Sequence, residues 1–166
     1  KFVLTDELIS KILDFIKSSD DNSILETFSN YHHADIAEII EELDSEEATY
    51  IIKLLDSEKT SDVLMELDDD YREKILKYLS IKEIAEEVEE LDSDDATDII
   101  SELPEEKQKK VISKIIDAEH KADIKELLKY DEDSAGGLMA KELIKVNENW
   151  TVTSCLLYTS PSPRDR

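Results

Sequence analysis

Asp94 and Asp98 stand four residues apart, with Asp92 and Asp95 beside them, in a chain of 166 residues that carries 43 Asp plus Glu against 20 Lys plus Arg. On a helix, an i, i+4 pair shares one face, with the side chains ~5–6 Å apart. At an effective dielectric of ~20, two such charges repel by roughly 3 kcal/mol before salt screening, a cost that a divalent cation relieves. Oxygen ligands alone suit Mg2+ or Ca2+ rather than zinc or copper, and Mg2+ keeps several waters while taking one or two carboxylates. No EF-hand loop is visible, so the expected chemistry is a spread of weak Mg2+ sites. The plainer reading of any one acid in such a chain is a solvated helix face.

Other chemistries lack their residues. His32, His33 and His120 are the only histidines, and no Cys or further His stands at zinc-like spacing. No Ser or Thr sits in a nucleophile elbow, and the adjacent glycines Gly136 and Gly137 lack the spacing of a phosphate-binding loop. The expectation is a protein that is not an enzyme and has no catalytic residues. A net charge of −23 repels phosphate backbones and anionic surfaces, so nucleic acid is not an expected partner, whereas cations and basic proteins are. No apolar run approaches the ~18–20 residues needed to cross a bilayer, so direct membrane insertion is not expected either.

The elements that must position these acids come from a repeat. Leu43, Leu55, Leu67, Leu79, Leu91 and Leu103 are spaced by 12, and Tyr31 and Ile115 extend the register in both directions. Most precede a helix-start signal: Asp44, Asp56, Asp68, Ser80 and Asp92 as caps with acids behind them, and Pro104 as a first helical residue. Within each unit the apolar residues fall on one helical stripe, as in Ala48, Ile51, Ile52, Leu55 and again in Ala96, Ile99, Ile100, Leu103. A 12-residue period allows helices of about 8 to 10 residues, ~12–15 Å long, which are marginal alone and must be held by their neighbours. The string EELDSEEATYII at 41–52 returns as EELDSDDATDII at 89–100, four units later. The predicted fold is all-α: a right-handed α-solenoid, or superhelix of short helices, armadillo-like in plan. A four-helix bundle would want longer helices. Only two Gly and three Pro leave an all-β fold without its turns.

Around the repeat, Leu8, Ile9, Ile12, Leu13, Phe15 and Ile16 mark a leading amphipathic helix, followed by a break at 18–23 and a shorter helix. His32 or His33 reads as a helix-start residue, and a last helix runs from Asp117 to about Tyr130. The paired glycines then imply a chain reversal or a close backbone approach. Residues 143–146 have strand character and 147–149 make a turn, so a second domain is expected to begin near Met139 and to be cut off. The last twelve residues, CLLYTSPSPRDR, resemble the in-frame translation of a sequencing adapter and are set aside as a scar, a Ser/Pro-rich linker being the alternative. The chain is expected to be a fragment of a longer one.

These residues carry a family resemblance. HHADIAEIIEELDSEEA, the LDSEEA/LDSDDA ladder and YDEDSAGGLMAKELIKVNENWTV resemble the cytoplasmic amino-terminal domain of the MgtE family of bacterial magnesium channels, running into the first strand of its first CBS domain. The similarity covers roughly 25–154, with the AGGLM junction as its specific element. The helical repeat alone is also similar to the middle domain of the flagellar motor switch protein, and His33 stands where both families commonly have proline. The resemblance implies a helical superhelix at 1–130, a junction at 131–138 and a truncated first CBS segment at 139–154, with the scar at 155–166. It implies metal-facing acids at Asp62, Asp94 and Asp98, Asp62 replacing a longer glutamate, with Mg2+ as the ion. It further implies a cytosolic Mg2+-sensing domain at the bacterial inner membrane, whose Mg2+ bridges to the CBS domains gate the transmembrane pore of the same homodimeric chain. An acidic helical scaffold for protein partners is the alternative.

Overall fold

The computed structural model describes residues 2–131, 134–142 and 151–153. The strand and turn expected at 143–149 and the tail at 155–166 lie outside the described residues. Among the described residues there are ten α-helices and no strand: α1 (Asp6–Ser18), α2 (Asp21–Phe28), α3 (His33–Glu41), α4 (Ser45–Ile52), α5 (Ser57–Glu66), α6 (Asp69–Tyr78), α7 (Ile81–Glu89), α8 (Ser93–Ser101), α9 (Glu105–Lys114) and α10 (Ala118–Leu127). The all-helical expectation holds, and α2 to α10 run 8 to 10 residues each.

The helices start where the local chemistry directs. Asp44, Asp56, Asp68 and Ser80 each accept a backbone N–H of the first turn, and His32 caps α3 through its ring nitrogen. The break between α1 and α2 falls at Ser19, whose φ of 53° ends the first helix in a left-handed turn. Pro104 differs from expectation: it is the cap residue of α9 rather than its first helical residue. Its backbone is extended at ψ 142°, and its carbonyl receives the amides of Lys107 and Gln108, a role that needs no N–H of its own.

Short helices stack because each buries one stripe. Helices α3, α5, α7 and α9 pack successively on one another, while α4 packs on α6 and α8 on α10. Leu43, Leu67, Leu79, Leu91, Leu103 and Ile115 are buried between them, together with Ala48, Ile51, Ile52 and their counterparts Ala96, Ile99 and Ile100. Leu55 departs from the register: it is only partly buried and shares with Leu54 the turn that follows the end of α4.

A second periodic device ties the layers. Lys59 Nζ donates to the Phe28 carbonyl at 2.6 Å, Tyr71 Oη to the Ile40 carbonyl at 2.8 Å, and Lys107 Nζ to the Leu76 carbonyl at 2.7 Å, each across 31 residues. The donors share one position of the 12-residue register and satisfy carbonyls orphaned at the end of a helix three steps earlier. Burial of Tyr71, with the charges of Asp44, Glu41 and Glu47, pushes its hydroxyl up to about 12. At the same register position α8 carries Asp95, an acid. The corresponding carbonyl, that of Leu64, is met instead by Arg72 Nη1 at 3.3 Å.

Candidate metal centre

Helix α8 is the element to build from, because the repeat delivers it with an acid-rich first turn. Asp94 and Asp98 sit one turn apart on it, both half-buried. Asp95 lies beside them, and burial together with the charges of Asp94 and Asp92 raises its carboxyl above the ordinary range against the pull of Arg72. Burial is the larger cause, and the neighbouring acids add an excess of negative charge to it.

Arg72 is the cation set against that excess. Its side chain reaches from α6, where the residue is 6% exposed, to the carboxylate of Glu102 at the end of α8; Nε donates to Oε1 at 2.9 Å, and Nη2 contacts the same oxygen. Nη2 also donates to Asp69 at 2.8 Å. Burial would lower the guanidinium, but the Glu102 hydrogen bond and the charges of Glu102, Asp69 and Asp98 outweigh it and raise it. The clip thereby fixes the α8 end that carries Asp98.

The segment after α10 closes on the same helix. Asp98 lines a hollow of about 70 Å³ with Thr97, Ser101, Leu127, Leu128, Tyr130 and Gly137. Ser134 accepts the amides of Gly137 and Leu138 and turns the chain there. A side-chain carbon on Gly136 would stand 2.6 Å from the Tyr130 ring, so this glycine is needed for close approach, as its sequence context implied. At the other end of α8, Lys141 and Glu142 bond to Ser93 and wall a larger hollow of about 610 Å³ lined mostly by acids, among them Glu89, Asp92, Asp117 and Asp123.

Asp62 lies elsewhere. It is on α5 with its side chain 53% exposed, 3.4 Å from His33 Nδ1, and the other ring nitrogen of His33 is 3.4 Å from Glu66. Helix α5 packs between α3 and α7, and α8 against α7, α9 and α10. The structure thus brings Asp94 and Asp98 together and places Asp62 at a separate hollow of about 360 Å³ with His32, His33, Asp56 and Glu58. Among the described residues, no group of three or more His, Cys, Asp or Glu is arranged to hold a metal ion. The donor set on α8 suits a hydrated Mg2+ that takes one or two carboxylates and completes its shell with water or with groups from another segment.

Sequence reasoning missed Arg72, Glu102, Ser93 and Glu142. For Arg72 the only signal was a lone arginine in the middle of a chain whose other arginines stand in the last three residues. It also missed Glu87, whose half-buried carboxyl is pushed up to about 8, chiefly by burial, with Glu86, Glu90 and Asp56 adding to it.

The profile of the MgtE intracellular N domain matches residues 31–133. No curated protein matches the chain. Among solved structures, the chain is similar to the soluble part of a magnesium transporter, at 23% identity and a TM-score of 0.78, over 92% of this chain and 60% of that one. It is also similar to the cytosolic domain of the Mg2+ channel MgtE in complex with ATP, at 27% identity and a TM-score of 0.76, over 90% of this chain and 61% of that one. It therefore spans about three fifths of the length of the structures it resembles.

Proposed function

The chain belongs to the family of the MgtE intracellular N domain, and from that premise we propose that it is the Mg2+-sensing regulatory part of a magnesium channel or transporter. The domain is non-enzymatic. In this reading it lies on the cytosolic side of a bacterial inner membrane, and no helix among its described residues is long and apolar enough to cross one. The observation that carries the reading is the pairing of Asp94 and Asp98 on one face of α8, at the place where the chain turns back over that helix.

The mechanism follows from charge. With little Mg2+ present, the acids of α8 repel any acidic surface brought against them. Asp94 and Asp98 would hold a hydrated Mg2+ through one or two carboxylates, and its charge would offset that repulsion. In this reading Asp94 and Asp98 would contribute from one side and Asp62 at a second place, with the facing groups supplied by the CBS domains of the full-length chain. Domains held together in this way would keep the pore of the same homodimeric chain closed, and their separation would release it. The first CBS segment begins near residue 139 in this reading.

The test uses the full-length protein. Replacing both acids, Asp94→Ala with Asp98→Ala, is expected to abolish most Mg2+-induced protection from protease and to raise open probability at high internal Mg2+. Unchanged protection and unchanged gating would assign the acids to a solvated surface and favour a scaffold that docks protein partners.

A further inference from the structure

Helix α8 begins without the cap its sequence offers. Asp92 occupies the capping position, yet its side chain accepts no hydrogen bond from the first turn. The first orphaned amide is instead taken by a residue 49 positions later: Ser93 N–H donates to Glu142 Oε1 at 2.9 Å. The Ser93 hydroxyl donates to the other oxygen, Oε2, at 2.9 Å. That hydroxyl in turn accepts the backbone N–H of Lys141 at 2.9 Å. Each of these donors has one acceptor and each oxygen accepts one proton, within its capacity. Ser93 is fully buried beneath this set. The Lys141 ammonium adds a fourth tie, 2.9 Å from Glu126 on α10, which raises its pKa.

We propose that Glu142 is the N-cap of α8 supplied from outside the helix, and that residues 141 and 142 form a strap fastening the chain's exit to the turn that carries Asp94. A carboxylate forked over an amide and a hydroxyl is a charge-assisted contact, and its negative charge sits favourably at the positive end of the helix. The strap makes Glu142 a positioning residue: whatever pulls on the chain beyond it pulls on the first turn of α8, and a frayed first turn displaces Asp94. This device needs no metal and stands apart from the Mg2+ reading.

The experiment is run on the chain in the presence of a chelator, so that its outcome is independent of Mg2+. Trypsin cleavage after Lys141 is timed in the wild type and in Ser93→Ala, which leaves the cleavage site itself unaltered, with Ser45→Ala as the matched change on α4. Cleavage at Lys141 at least tenfold faster in Ser93→Ala, with Ser45→Ala like the wild type, is expected. Hydrogen exchange at the Ser93 amide gives the second reading: at least tenfold faster in Glu142→Ala and less accelerated in Glu142→Gln, whose remaining oxygen still accepts. Equal cleavage rates at Lys141, or a Ser93 amide equally protected in Glu142→Ala, would overturn the strap and return the capping role to Asp92. Should Ser93→Ala fail to melt cooperatively, the exchange measurement on the exposed Glu142 variants decides alone.

Discussion

Helices α4 and α8 start from almost the same words, LDSEEAT and LDSDDAT, and they solve the same problem in different ways. In α4 the solution is local: Asp44 accepts the amides of Glu46 at 2.9 Å and Glu47 at 2.8 Å, and Glu47 reaches back to the Asp44 amide at 3.2 Å. In α8 the third helical residue is Asp95, one methylene shorter than Glu47, and no such reciprocal pair forms. The capping position is left to a residue from the far side of α10, and the end of the helix to an arginine from α6. A repeat unit made of local interactions is interchangeable with its neighbours. Once it hands those interactions to distant segments, it can report on where those segments are.

The largest expected effect comes from breaking the end of α8 that has no counterpart in α4. Arg72→Ala leaves Glu102 mostly buried beside the remaining acids without its partner, and a loss of about 3–5 kcal/mol in a denaturant melt is expected. Lys53, the residue that ends α4, is exposed and pairs with the half-buried Glu83. Lys53→Ala is therefore expected to cost less than ~1 kcal/mol. Similar losses in the two variants would mean that the Arg72 clip is only a surface contact.

Next comes pH. Glu87 on α7 stands 48 residues after Ile39, a fully buried core residue, and so places an acid where the first copy is apolar. The Ser61 hydroxyl lies 2.8 Å from the Ser57 carbonyl, 2.8 Å from the Glu87 carbonyl and 3.2 Å from Glu87 Oε2. Its single proton serves one of them at a time, and when donated to the carboxylate it pulls Glu87 down against the larger upward push of burial. With its ordinary value at 4.5 and the folded value raised to about 8, Glu87 contributes stability that is complete below about 4.5 and lost as pH rises through about 8. Melting temperature should fall across that window in the wild type and fall less in Glu87→Gln; parallel curves would remove Glu87 from the account.

The smallest effect separates the two caps. Asp44→Ala is expected to cost about 1 kcal/mol, whereas Asp92→Ala, which removes no capping bond, is expected to cost a few tenths at most. Equal losses in thermal melts would show that Asp92 caps α8 after all.

Most of the fold was legible because it repeats. Twelve-residue spacing of Leu43 to Leu103, caps at Asp44, Asp56, Asp68 and Ser80, and the stripe of Ala96, Ile99 and Ile100 are all decided within one unit, where sequence neighbours are also spatial neighbours. The pairing of Asp94 and Asp98 was legible for the same reason. The handing of α8's cap to Glu142, across 49 residues, was not, and neither was the 30-residue reach from Arg72 to Glu102. Local chemistry even pointed the other way, since Asp92 is a good cap residue and was read as one. Lys59, Tyr71 and Lys107 share a register position that a reader alert to polar residues in the repeat would have noticed. The family resemblance supplied Asp62, which no local pattern singles out.

The most direct test is hydrogen exchange of the full-length protein at low and high Mg2+, followed through α4 and α8 in the same sample. The account predicts protection that grows with Mg2+ in α8, no change in α4, and loss of the α8 response in the Asp94→Ala, Asp98→Ala double variant. Equal responses in the two helices, or a response in α8 that survives the double substitution, would contradict it.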